Sequence, residues 1–368
     1  MNALQTAART TATASVAGPY PIIDWQHWVQ NNQTRSAGGG SAVNAPNTLP
    51  LLDLPPIHAP GEQLSRFQVF FRKSKEVVKI YKSGITNVWK NRKLALAVYK
   101  RLGDTPGPTG ELVGRVLASQ AVLRAEQDAR STAVLRTARD DVSFRYQVPD
   151  ASGLSRAEFQ LVRRARRDFL KLPLFTLIFC VLFEMTPLVV ALVPDVVPAI
   201  CVLPPQVRAG IARTEQRLAA LQTGGAIDMA ALQRTAPRLA RAELAGLAKA
   251  LELVPSWAPA GLYTSAYLQR RLAEHMAYLK ADNALIGQWG GVWAMSAREV
   301  ETALLERAIP IAGKSLEAMR FELYTTAVNM AVLRLDAGYL LTPRTLAADD
   351  VARLAALREL TFVDAAHL

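Results

Sequence analysis

The sequence predicts an all-α protein in which one membrane-spanning segment is followed by a bundle of helices. Three observations carry this. Apolar residues recur at three- and four-residue steps through most of the chain, while the alternation that marks strands is almost absent. Leu172–Val193 is a run of 22 residues with a single charge, Glu184, long enough at about 1.5 Å per residue to cross about 30 Å of hydrocarbon. The second half is cut at Gly224-Gly225, Pro255–Pro259, Gly290-Gly291 and Pro310–Gly313 into pieces that suit bundle helices joined by short connections.

Composition narrows the function classes. With 368 residues, half of them hydrophobic, the chain can build one or two cores, as two domains or as one domain plus a membrane segment. The net charge of +12 points to an anionic partner: nucleic acid, a ribosome or an anionic membrane surface. Most of that excess sits in Arg66–Arg101, where eleven Lys or Arg face one acid, Glu76. The two cysteines, Cys180 and Cys201, both lie in the apolar stretch and make no disulfide framework. His27, His58, His275 and His367 are scattered, with no zinc-ligand spacing. Phosphate-binding glycine loops and nucleophile elbows are missing from the sequence, so neither enzyme activity nor a cofactor, metal or small-molecule substrate is expected.

Residues 1–63 read as a targeting segment and linker. The opening MNALQTAARTTATASVAG is rich in Ala, Thr and Ser and meets no acid before Asp24, which suits a mitochondrial transit peptide or a disordered N-terminus. Arg35–Gly61 is dense in Gly, Pro, Ser and Asn and reads as linker. Residues 64–153 follow as two helices. Leu64–Leu102 is basic and amphipathic, with Gly84 the one place it could break. Its Lys73, Lys75, Lys79 and Lys82 are candidate contacts to lipid headgroups or a ribosome; a solvated helix face is the weaker alternative, because surface helices usually mix signs. Glu111–Arg139 is a polar helix for which packing is explanation enough.

Residues 154–206 hold the apolar segment and its flanks. Ser155 and Glu158 have capping-box spacing, so a helix is expected to begin there and carry Arg163, Arg164, Arg166, Arg167 and Lys171 to the edge of the apolar run, as further headgroup or ribosome contacts. Beyond it, apolar residues lie on every side of the helix rather than in one stripe, which favours lipid over a half-exposed core. Glu184 would cost roughly 2.5–3.5 kcal/mol at a membrane centre, and Pro187 removes a helix hydrogen bond. Glu184 is therefore either protonated and packed, bonded to a partner helix, or a titrating group on an ion or proton pathway. Pro194–Pro205 reads as an interfacial or re-entrant piece.

Residues 207–340 read as the bundle, with helices at Val207–Gln222, Met229–Leu253, Thr264–Ala281, Ser296–Ala308 and Ser315–Leu335, and a second capping box at Ser296 and Glu299. A last helix, Ala347–Leu360, falls in residues 341–368.

The order of these parts resembles the LETM family of the mitochondrial inner membrane. Leu154-Ser155-Arg156 with Glu158, then Pro173, Glu184, Pro187, Pro194 and Pro198, stand at the positions of that family's span. Asp282, Ile286, Gly290-Gly291, Ser296, Glu299 and Arg307 are similar to its ribosome-binding domain. The likeness spans roughly residues 65–335 and resembles the short form, without the calcium-binding EF-hand or the C-terminal coiled coil. It implies an inner-membrane protein whose C-terminal domain lies in the matrix, binds the mitochondrial ribosome and supports membrane insertion of its products. Potassium or calcium exchange against protons, through Glu184 in an oligomer, is the alternative it implies. Inner-membrane lipids and a homo-oligomer or membrane complex are the further partners expected. The charge bias around the span, six basic residues in Arg156–Lys171 against two in Asp195–Gln216, argues for the opposite orientation.

Overall fold

Ser155 and Glu158 do what their spacing predicts. The Glu158 backbone N–H donates to Ser155 Oγ at 3.2 Å, and the Ser155 N–H donates back to the Glu158 carboxylate at 3.0 Å. A helix starts there. In the computed structural model, which describes residues 40–52, 66–134, 152–181, 196–222, 229–255, 257–288 and 291–343, every regular element is helical. The long ones are α1 (Arg66–Leu102), α2 (Thr109–Val134), α3 (Arg156–Val181), α4 (Pro204–Leu221), α5 (Arg241–Ala250), α6 (Ser265–Gln288), α7 (Ala297–Glu306) and α8 (Leu316–Val332).

α1 runs unbroken through Gly84. A side chain there would meet Cys201 Sγ at 2.6 Å, so the glycine allows the chain at Ala199–Cys201 to lie directly on the helix. α3 packs antiparallel along α1: Arg101 pairs with Glu158 at one end, Trp89 meets Phe169 edge-on in the middle, and Tyr81 meets Phe175 at the other end. The larger core lies beyond, where α2, α3, α5 and α6 bring together Val116, Phe159, Leu247, Leu272 and Leu279. A second cluster joins α7 and α8 through Val300, Leu304, Phe321 and Leu323.

The expected linker takes part in this core. Val43, Ala45 and Thr48 are buried, because the segment from Gly40 to Leu52 lies against α3 and α7 and its backbone groups are taken up by side chains from both. The membrane span is not borne out: among the described residues no helix is long and apolar enough to cross a membrane. The physical reason is visible in α3. Its first half carries five arginines, and Leu172 and Phe175, from the supposed span, are buried against α1 and the Ala199–Cys201 turn rather than turned to lipid. Glu184, Pro187 and the helix expected at Ala347–Leu360 lie outside the described residues.

Candidate functional site: a helical arm and the charge network at its root

The first half of α3 is held by charge. Arg156 is fully buried and donates through Nε to Asp282 of α6 at 2.8 Å, and through one terminal nitrogen to Glu299 of α7 at 3.1 Å and to the Val43 carbonyl at 2.8 Å. Arg164, two turns on, makes a two-pronged pair with the same Glu299 at 2.5 and 2.9 Å and reaches Thr48 Oγ1. Arg307 closes the other side of Asp282 at 2.7 Å. Gln160 adds a further hydrogen bond to Asp282.

Beside this group, the Arg163 guanidinium lies 3.6 Å from the Tyr278 ring centroid and pairs with Glu306, which also accepts from the Tyr278 hydroxyl at 2.6 Å. Burial alone would push the three carboxylates up. The arginines beside them, with the Tyr278 hydroxyl at Glu306, outweigh it and hold Asp282, Glu299 and Glu306 below their ordinary values. His275 is pushed down to about 4 by burial and by the nearby Arg163 and Arg307 charges, so it is neutral at pH 7. Ser296 caps α7 as its spacing predicts, but Glu299 does not return to it: that carboxylate serves Arg156 and Arg164, and the Ser296 N–H goes to Asn44 Oδ1 instead.

The second half of α3 reverses the pattern. Leu170, Leu174, Leu177 and Val181 are between 52% and 70% exposed. At 3.6 residues per turn Leu170 lies about 20° from Phe159, eleven residues earlier. The face that enters the core at Phe159 therefore continues as a bare apolar stripe where α3 outruns the bundle. Its partner, α1, exposes Lys75, Lys79, Lys82, Lys90 and Lys93, together with Trp89. The two helices form an arm, apolar along α3 and basic along α1.

A clasp fixes the chain beside this arm. Asp168, fully buried, accepts from the Ala199 N–H at 2.9 Å, and Lys171 Nζ reaches the Val197 carbonyl at 3.4 Å. Burial raises the Asp168 carboxyl, and it pushes both the Tyr81 hydroxyl and the Cys201 thiol up to about 12.

The residues expected to touch headgroups or a ribosome divide accordingly. Arg163 and Arg164 turn inward as described, and Arg166 donates to the Gly107 carbonyl. Arg167 is exposed, Lys171 is half-buried in the clasp, and Lys75, Lys79 and Lys82 are exposed on the arm. The side chain of Lys73 lies outside the described residues, as does Glu184. Sequence reasoning missed Asp168, Trp89 and the α3 stripe. The stripe had a signal, the four-three-four spacing of Leu170, Leu174, Leu177 and Val181, hidden inside a longer apolar run.

No curated protein and no solved structure matches the chain. A family model does: the pentamidine resistance factor domain matches residues 66–289, from the start of α1 past the end of α6. This overturns the resemblance to the LETM family, which finds no match, and with it the ribosome-binding and cation/proton-exchange readings that rested on that resemblance. The structure gives the reason the likeness misled. Asp282, Glu299 and Arg307, three of the positions that carried it, are buried members of the network around Arg156, so packing is enough to explain their residue types. The match covers more than half of the chain, which belongs to the pentamidine resistance factor family.

Proposed function

We propose that this protein is a membrane-surface adaptor of mitochondria, seated on the anionic lipid of the inner membrane by the α1–α3 arm and presenting its helical core to the matrix or the intermembrane space. The observation that supports it is the pairing, on two packed helices, of the exposed Leu170–Val181 stripe with a face of lysines that has little acid to balance it. An apolar strip alone fits another protein as well as lipid. An exposed strip on one helix of an arm whose other helix carries lysines and an exposed tryptophan has the chemistry of a lipid surface: apolar side chains enter the acyl boundary, Trp89 sits at headgroup depth, and each lysine near the surface adds about 1 kcal/mol. Each leucine moved out of water adds about 1.5–3 kcal/mol at most. The mitochondrial setting rests on the family and on the acid-free, Ala- and Thr-rich start of the chain.

The test is flotation of the full chain with vesicles of phosphatidylglycerol and phosphatidylcholine, against phosphatidylcholine alone. Binding is expected to the anionic vesicles, to weaken as salt rises, and to fall by about a hundredfold when Lys75, Lys79 and Lys82 become Glu. Equal recovery with neutral and anionic vesicles, or a monomer–dimer shift on changing the stripe with no vesicle binding, would replace lipid with another occupant.

A further inference from the structure

A second apolar patch stands at the start of α6. Trp257 is 68% exposed and Leu262 70%, and Tyr263 and Tyr267 stack beside them, with ring centroids 5.4 Å apart. Exposure here is built in. Val254 and Ala258, on either side of Trp257, are buried anchors. Arg241 ties the end of the loop, donating to the Tyr263 carbonyl and Ser265 Oγ, and Arg271 ties its start through the Leu253 carbonyl. A loop so anchored holds its indole outward.

The patch also lies on the arm's side of the contact between α3 and α6. Arg156 of α3 meets Asp282 of α6, and Gln160, one turn on, meets Tyr278, one turn back. The two helices therefore run in opposite senses, and the start of α6 points toward the end that carries Leu170–Val181. Residues 234–274 contain six Lys or Arg against three acids, so this region favours the same sign of partner as the arm.

We infer that Trp257, Leu262 and Tyr267 form a second lipid contact, so that the protein rests on one anionic membrane at two points, the arm and this loop. The inference depends on the membrane-surface reading above. Tryptophan and tyrosine favour the headgroup layer because each has an apolar body and a polar tip, and an anchored loop reaches that layer with little ordering cost. Two linked weak contacts bind more tightly than either alone without deep insertion by either.

Two probes separate the parts. Cys180 is exposed at the end of the α3 stripe while Cys201 is buried, so an environment-sensitive thiol dye placed on the native chain reports the arm. The same dye on Leu262→Cys in a Cys180→Ser background reports the loop. With phosphatidylglycerol-containing vesicles both are expected to shift to the blue and brighten, and Trp257→Ala with Leu262→Ser is expected to weaken vesicle binding by about ten-fold. A response at Cys180 with none at position 262, and unchanged binding by the double variant, would overturn the second contact, leave the arm in place and assign the loop to a protein partner. Silence at Cys180 would overturn the arm, and the two-point seat with it.

Discussion

The two halves of α3 use the same helix in opposite ways. In the first, Arg156, Gln160 and Arg164 face inward and bond Asp282, Tyr278 and Glu299; in the second, Leu170, Leu174, Leu177 and Val181 face outward. Residue type alone would predict the reverse. What decides is the surroundings: α6 and α7 supply carboxylates to the first half, while past Phe169, among the described residues, α1 and the segment around Ala199–Cys201 cover one side. The lesson is that a row of arginines here marks packing, while a row of leucines marks a face that the fold itself leaves bare.

The sharpest way to break the contrast is to remove the hub of the inner half. Glu299→Ala leaves Arg156 and Arg164 buried with a lost partner, and urea unfolding is expected to show a loss of about 3–5 kcal/mol. An effect under 1 kcal/mol would make the network dispensable. Acid attacks the same region. The folded-state value of His275, about 4, lies below the ordinary 6.5, so its contribution is complete above about pH 6.5 and lost as pH falls toward 4. The depressed carboxylates lose theirs in the same direction. Stability followed across that range is expected to drop on the order of 3 kcal/mol, with His275→Gln flattening the upper part of the curve.

A smaller effect is expected where the arm is clasped. Gly84→Ala forces its new methyl against Cys201 Sγ and is expected to cost about 1–3 kcal/mol, with partial recovery in Cys201→Ala. Recovery would be absent if Gly84 mattered only for backbone freedom. On the outer stripe, Leu177→Ser is expected to move folding stability by no more than about 0.5 kcal/mol, because the side chain has little packing to lose.

Much of the fold was legible from spacing: the helix starting at Ser155, the basic helix before the turn at Gly103 and the Ser296 cap follow from local rules that hold wherever the chain goes, though the basic helix does not break at Gly84. The arginine row was not. Its partners Asp282, Glu299 and Glu306 lie more than 120 residues away, so a ladder of buried ion pairs looked in sequence like a ladder for headgroups. The linker was misjudged for a similar reason. Gly- and Pro-rich segments such as the one holding Val43 can be buried when other elements satisfy their backbone, as Arg156 does for the Val43 carbonyl. The apolar stretch hid its own division, since only packing shows that Leu172 and Phe175 face α1 while Leu174 and Leu177 do not.

The central claim is that the outer half of α3 serves a surface rather than the fold. Leu174→Glu with Leu177→Glu, measured for both urea unfolding and flotation with phosphatidylglycerol-containing vesicles, tests it most directly. The expected result is an unfolding midpoint close to that of the unchanged chain and vesicle binding reduced at least tenfold. Retained vesicle binding, or a stability loss comparable to that of Glu299→Ala, would contradict it.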